Sequence, residues 1–347
     1  MKKKLYTLIM VAATLSVIYY FGPVVNHGEL PTALPPVIEN LEQLEAEVVR
    51  RELDNPLIKP DNEARIIWAN SSQQKTPYSM VYLHGFGASQ GEGEPVHRWL
   101  AERFGCNLYL SRLKEQGIQS DSAFKSMTAA NLLASAREAV AIGKALGDRV
   151  IIIGTSTGGA LGLYITAHNP DIAGIMLYSP IIAPANEALF LLNGPWGWQI
   201  GEAILGRVNK EDREDPVKRY WSDVYYLEGY MALAGLVENT MQKETFQQIA
   251  QPVFLGYYYK NKEEQDPVVS VAAMLEMYDH LGTPSSKKRK VAFPEASNHV
   301  ISSVYRSGDW QGVYEESAKF LEEVMQLPVV NEVNADSTRF EPEVLAE

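Results

Sequence analysis

Ser156 stands in Gly154-Thr155-Ser156-Thr157-Gly158-Gly159, directly after the apolar run Val150-Ile151-Ile152-Ile153 and just before the helix-forming stretch Ala160-Leu161-Gly162-Leu163-Tyr164. A serine centred in Gly-x-Ser-x-Gly between a strand and a helix is the pattern of a nucleophile raised on a sharp turn, where larger side chains would obstruct close backbone contacts. Unpaired N–H groups at the helix N-terminus would favour a developing anion there. The bland alternative for Ser156 is a helix N-cap. A phosphate loop is excluded by spacing: no Gly-Lys-Ser/Thr ending follows, and Gly-x-Gly-x-x-Gly does not fit from Gly154 onward.

A serine hydroxyl needs a base, and six histidines are available. His27 falls in a Pro-rich stretch, His97 in a helix after a loop, and His168 and His280 at predicted helix ends, where the dipole alone favours a cation. His299 differs, because Phe293-Pro294-Glu295-Ala296-Ser297-Asn298-His299-Val300 puts it on a loop after the last predicted strand. The base then needs an acceptor that fixes its tautomer, and the chain order for such a site is Ser, acid, His. Asp266 fits, following a predicted strand at Val253 to Tyr258 and preceding a predicted helix, with Glu263 and Glu264 as rivals in the same charged loop. Acyl transfer also needs two N–H donors for an oxyanion. Thr157, next after the serine, would supply one, and Phe86 in Leu83-His84-Gly85-Phe86-Gly87 the other, with His84 bracing that loop.

These residues require a scaffold that brings strand ends to one edge. Short apolar runs at Arg65 to Ala69, Met80 to Leu83, Asn107 to Leu110, Val150 to Ile153, Gly174 to Tyr178, Val253 to Tyr258 and Lys290 to Phe293 alternate with helical patterns at 94–104, 128–146, 157–168, 241–250, 268–281 and 310–325. The alternation predicts an α/β fold with a mostly parallel central sheet and helices on both faces. The rhythm breaks from Pro184 to Asn239, a long insertion rich in Trp and Tyr that would sit over the crevice at the strand ends.

With these motifs in place the chain resembles the α/β-hydrolase superfamily, in particular its branch of carboxylesterases and monoacylglycerol lipases. The resemblance covers about Arg65 to Met325, through His84-Gly85-Phe86-Gly87, the Ser156 turn, Asp266-Pro267-Val268-Val269 and Asn298-His299-Val300-Ile301. It implies an eight-stranded type of sheet, a triad of Ser156, Asp266 and His299, and a cap domain at the insertion. Thr155 and Thr157 depart from the bulkier residues usual beside the serine.

The division expected from composition is an N-terminal membrane anchor or signal at 1–26, a linker at 27–60, an α/β core at 61–183 and 240–327 around a cap insertion at 184–239, and a polar tail at 328–347. Aromatic residues of the insertion, Trp196, Trp198 and Trp221 foremost, are candidates to line an apolar acyl pocket, with packing of the cap on the core as the plain alternative. The expected activity is hydrolysis of an acyl or lipid ester, with a small-peptide serine peptidase and a non-catalytic binding protein as alternatives.

Net charge and cysteine content narrow the partners. Thirty-one Lys and Arg against 43 Asp and Glu give −12, which opposes a general phosphate-binding role and makes nucleic acid an unsuitable partner. The single Cys106 cannot form an internal disulfide, no metal-ligand spacing is present, and no cofactor is expected. At the N-terminus Lys2, Lys3 and Lys4 precede an uncharged run of 17 residues, Leu5 to Phe21, closed by Gly22 and Pro23. Roughly 25 Å of helix is at the short end of a bilayer span, and the run's bulky aromatic end argues against signal cleavage. The expectation is a membrane-anchored chain whose catalytic domain is extracytoplasmic, or exported if the segment is cleaved.

Overall fold

Strand and helix alternate along the chain as their apolar periods require. The structure, a computed structural model, describes residues 2–333, so most of the acidic tail expected at 328–347 lies outside the described residues. In chain order the elements before the serine turn are α1 (Lys2–Tyr20), α2 (Leu41–Leu53), β1 (Arg65–Ile67), β2 (Thr76–Leu83), α3 (Val96–Arg103), β3 (Asn107–Leu110), α4 (Ala129–Leu146) and β4 (Gly147–Thr155). After it come α5 (Thr157–His168), β5 (Gly174–Tyr178), α6 (Gly197–Leu205), β6 (Val208–Lys210), α7 (Val217–Tyr220), β7 (Val224–Tyr226) and α8 (Leu227–Thr240). The chain then continues through α9 (Lys243–Gln247), β8 (Val253–Tyr257), α10 (Val271–His280), β9 (Lys288–Ala292) and α11 (Trp310–Glu323).

Seven strands form one sheet in the order β1-β3-β2-β4-β5-β8-β9, and only the edge strand β1 runs antiparallel. The resemblance implied eight strands; seven are present in this sheet among the described residues. β4 is central and buried on both faces, which is why its apolar residues run without alternation. Ile151 and Ile153 pack with Tyr82, Phe254 and Phe320 on one face, while Val150 and Ile152 pack with Val81, Leu83 and Leu161 on the other. Each such side chain contributes about 1.5–3 kcal/mol of burial. α4 starts at a capping box in which Thr128 and Asn131 satisfy each other's backbone N–H groups.

Between β5 and β8 the chain leaves the sheet for a 3₁₀ turn at Glu187–Asn193, α6, the two-stranded ribbon of β6 and β7, α7 and α8. The inner side of α8 returns to the main core, where Leu233, Leu236 and Val237 are buried. The segment expected as a linker is strapped to the core through its carbonyls. Tyr164 Oη donates to the Leu30 carbonyl at 3.0 Å, Asn169 Nδ2 to that of Thr32 at 3.3 Å, and Arg137 to that of Ala33. α2 docks by Leu44 and Val48 and leaves its charged face in solvent.

The expectation of a membrane anchor is overturned. No helix among the described residues is long and apolar enough to cross a membrane. α1 spans 19 residues but begins in the lysine cluster, and Tyr6, Thr7, Thr14, Ser16, Tyr19 and Tyr20 interrupt its apolar character. Its end is tied to protein instead: the Trp196 indole donates to the Ile18 carbonyl at 3.0 Å, and the Trp196 backbone N–H donates to that of Pro23 at 2.9 Å. Neither anchoring nor the extracytoplasmic placement drawn from it stands.

Candidate active site

Parallel register brings the candidate residues to one edge of the sheet. Leu83 of β2 pairs with Gly154 of β4, Thr155 with Tyr178 of β5, Tyr178 with Gly256 of β8, and Tyr257 with Ala292 of β9. The loops after β2, β4, β8 and β9 therefore leave from neighbouring points, the crevice where an open α/β sheet places its ligand.

Ser156 occupies the turn between β4 and α5 with φ 50° and ψ −112°, a positive φ that a non-glycine residue adopts only when its surroundings impose it. Here backbone crowding imposes it. A Cβ on Gly158 would lie 1.8 Å from the Leu83 carbonyl oxygen, and one on Gly154 would lie 2.6 Å from the Gly158 oxygen. The Ser156 side chain does not cap α5, so the N-cap alternative has no bond behind it. Its Oγ makes no hydrogen bond to any described residue, and the Ser156–His299 bond that proton transfer requires is not formed in this state.

Asp266 and His299 are brought together. Asp266 leaves the loop after β8 with its side chain fully buried, and His299 follows β9 and the Pro294–Ala296 turn. His299 Nδ1 donates to Asp266 Oδ2 at 2.7 Å, while Asp266 Oδ1 accepts the Val268 and Val269 N–H groups at 2.9 and 3.0 Å. Burial alone would push the Asp266 carboxyl up, yet the facing His299 and the two N–H groups hold it below its ordinary value. A carboxylate that only accepts fixes the proton on Nδ1 and leaves Nε2 as the free base. The rival Glu264 is exposed and bonded to Asn261, within its own loop.

The two oxyanion candidates, the Phe86 and Thr157 N–H groups, are spent on no acceptor among the described residues. The Phe86 loop is held from beneath. His84 Nδ1 donates to the Gly85 carbonyl at 3.0 Å and its Nε2 accepts the Leu113 N–H at 3.0 Å. Burial pushes the His84 imidazole down to about 4, so it braces the loop as a neutral ring. Gly87, with φ 78°, donates to Gln116 Oε1 at 2.6 Å.

The tryptophans separate. Trp196 packs on Gly22 and Trp198 on Arg207, both turned to the N-terminal segment and α6. Trp221 is buried with Ala88, Tyr220 and Val300, the residue after His299. Two other aromatic residues of the insertion, Tyr225 and Tyr230, meet the oxyanion loop, together with Phe124, which the sequence did not single out: Phe86 lies 5.1 Å from Phe124, 5.8 Å from Tyr225 and 5.6 Å from Tyr230. Tyr230 also lines an apolar cavity of about 280 Å³ with Leu189, Leu192, Ile200 and Ile204.

One buried acid was likewise missed. Glu92, only 2% exposed, accepts the Gly85 N–H at 2.7 Å and the Tyr82 hydroxyl at 3.0 Å through Oε2. The bracketing of a glutamate by Gly91 and Gly93 was the available signal. Among the described residues no cluster of acids, histidines and cysteines could hold a metal ion.

No family model and no curated relative matches the chain. Solved structures do. A metagenome-derived lipolytic enzyme is 17% identical over 76% of this chain and 99% of its own, with a TM-score of 0.62. A soluble variant of monoglyceride lipase from Saccharomyces cerevisiae is 13% identical over 78% and 92%, with a TM-score of 0.55. A monoacylglycerol lipase from Paleococcus ferrophilus is 15% identical over 74% and 97%, with a TM-score of 0.53. At such identities the likeness is one of fold.

Proposed function

We propose that this chain, which has the α/β-hydrolase fold, is a serine hydrolase that cleaves carboxylic esters through an acyl-enzyme on Ser156. The observation that carries the proposal is the 2.7 Å bond from His299 Nδ1 to the buried Asp266, on the same sheet edge as the strained Ser156 turn. In this reading Ser156 Oγ attacks the ester carbonyl carbon and its proton passes to His299 Nε2, while Asp266 stabilises the imidazolium. The Phe86 and Thr157 N–H groups receive the oxyanion. Collapse breaks the bond to the alkoxide, which takes the proton from His299, and water repeats the sequence to release the acid.

An acyl or lipid ester is the substrate class that the surroundings favour. Phe86, Tyr225 and Tyr230 form a continuous apolar wall from the oxyanion loop to the cavity beside α6, which suits a hydrocarbon chain. The lipolytic names of the structural neighbours agree with this class. The test is hydrolysis of p-nitrophenyl esters of graded chain length by wild type and Ser156→Ala. Loss of at least about 10⁴-fold in kcat is expected for the variant. Full turnover by Ser156→Ala would sink the proposal.

A further inference from the structure

We propose that Glu92 is a positioning residue of this centre, its carboxylate clamping the Gly85 amide of the oxyanion loop and supplying a second negative charge for the imidazolium formed on His299. The inference rests on the reading of Ser156 and His299 as nucleophile and base.

The placement of Glu92 is built by its neighbours. The 3₁₀ turn Gln90–Gly93 is buried throughout. A Cβ on Gly91 would lie 2.3 Å from the Tyr220 ring, and one on Gly93 would lie 2.4 Å from His97 and 2.6 Å from Tyr82. Glycine on each side therefore lets the turn sink between α7 and β2 and carry Glu92 under the oxyanion loop. A Cβ on Gly85 would meet Glu92 Oε1 at 2.8 Å and Ser156 Cβ at 3.3 Å, so the acid and the nucleophile border the same space, which the missing side chain of Gly85 leaves open. Tyr82 Oη, bonded to Glu92, is also 3.0 Å from the hydroxyl of Thr155, the residue before Ser156. One polar chain thus joins the oxyanion loop, Glu92, Tyr82 and the serine turn.

The charge is what needs explanation. A glutamine would accept the same Gly85 and Tyr82 bonds without an ion to desolvate. The carboxylate adds charge alone, and the cation that the cycle forms is that of His299, the base to Ser156, whose Cβ shares with Glu92 Oε1 the space beside Gly85. The other groups around it do not supply one. Tyr82 lies on β2, Thr155 at the end of β4, and Tyr220 of α7 is bonded to Asp61. His97 of α3, bonded to the Gln90 carbonyl, is pushed down by burial to about 4, and Arg98 is paired with Glu94. Burial lifts the Glu92 carboxyl to about 7, with the Gly85 N–H, Tyr82 and His299 each pulling it back. Glu92 takes and gives no proton in the cycle; its ionised form is the productive one.

The experiment compares full-chain wild type, Glu92→Gln and Tyr82→Phe in p-nitrophenyl ester hydrolysis from pH 5 to 9, with fluorophosphonate labelling of Ser156 in parallel. Glu92→Gln is expected to lower kcat about tenfold or more at pH 8 with KM little changed, and to make the acid limb of kcat/KM less steep. Tyr82→Phe keeps the acid but removes a donor to it, so the limb should move to higher pH, a readout that survives if Glu92→Gln fails to fold. Wild-type kcat and an unchanged limb in folded Glu92→Gln would overturn the role of Glu92 alone, as would an unmoved limb in Tyr82→Phe. Absence of both turnover and labelling in wild type would overturn the serine reading and this inference with it.

Discussion

Asp266 reaches His299 across 33 residues of chain, and its two carboxylate oxygens do different work: Oδ1 takes the Val268 and Val269 N–H groups while Oδ2 takes His299 Nδ1 at 2.7 Å. The backbone bonds fix the carboxylate, so the imidazole is aimed by a group that cannot swing.

Asp266→Asn separates charge from shape. With two N–H donors facing Oδ1, the amide would keep its carbonyl there and turn its NH₂ to His299 Nδ1. The ring would then accept at Nδ1 and carry its proton on Nε2, where it cannot act as base toward Ser156. The expected result is a fall of about 10⁴-fold in kcat for ester hydrolysis at pH 8, with a near-normal melting temperature.

Gly158→Ala tests the turn itself. The added methyl would sit 1.8 Å from the Leu83 oxygen and 2.4 Å from its carbon, atoms of β2 that are pinned by pairing with β4. Gly158 lies in the first turn of α5, so relief requires moving the start of that helix off the end of β2. Destabilisation of more than about 4 kcal/mol, or failure to accumulate folded protein, is expected in denaturant unfolding.

Much of this was legible in the chain because each signal was local. Asn107–Leu110 and Gly174–Tyr178 coincide with their predicted strands, and α5 with its predicted helix, since buried parallel strands are short unbroken apolar runs and the Gly-x-Ser-x-Gly turn marks the junction. What escaped depends on partners distant in sequence. Val208–Lys210 pairs with Val224–Tyr226 as a ribbon but is exposed throughout, so no alternation announces it. The strap at 30–33 is held by its carbonyls, which every residue has. Trp196 and Trp198 read as pocket lining, yet they serve the contact with residues 18–25, because aromatic composition does not say which face a ring covers. Glu92 escaped because a Glu-rich turn reads as solvated, and only the fold shows it buried.

Glu92 also carries a cost whose sign can be worked out. Its carboxyl stands at about 7 in the folded chain against an ordinary 4.5, so folding favours the protonated form. Below pH 4.5 the group is neutral in both states and costs nothing. Between pH 4.5 and about 7 the unfolded chain ionises while the folded chain holds its proton, and stability falls. Glu92→Gln removes that loss. It should match wild type in unfolding free energy near pH 4 and exceed it by on the order of 3 kcal/mol at pH 8, measured by urea unfolding. A variant more stable and less active at the same pH is the pattern of a charge held for function.

The apolar cavity beside α6 offers a prediction on specificity. Ala188 lies on its rim and is exposed, so a larger side chain there enters the cavity without disturbing the core. Ala188→Trp would occupy much of the 280 Å³ that a long acyl chain would take up, and Ser156 is not among the residues that line that cavity. Short esters should keep wild-type kcat/KM. Long-chain esters should lose about tenfold or more, since each methylene denied burial forfeits about 0.8 kcal/mol. Equal loss at every chain length would place the acyl chain elsewhere and turn attention to the wall formed by Phe124 and Tyr225, whose rings stack at 5.1 Å beside Phe86.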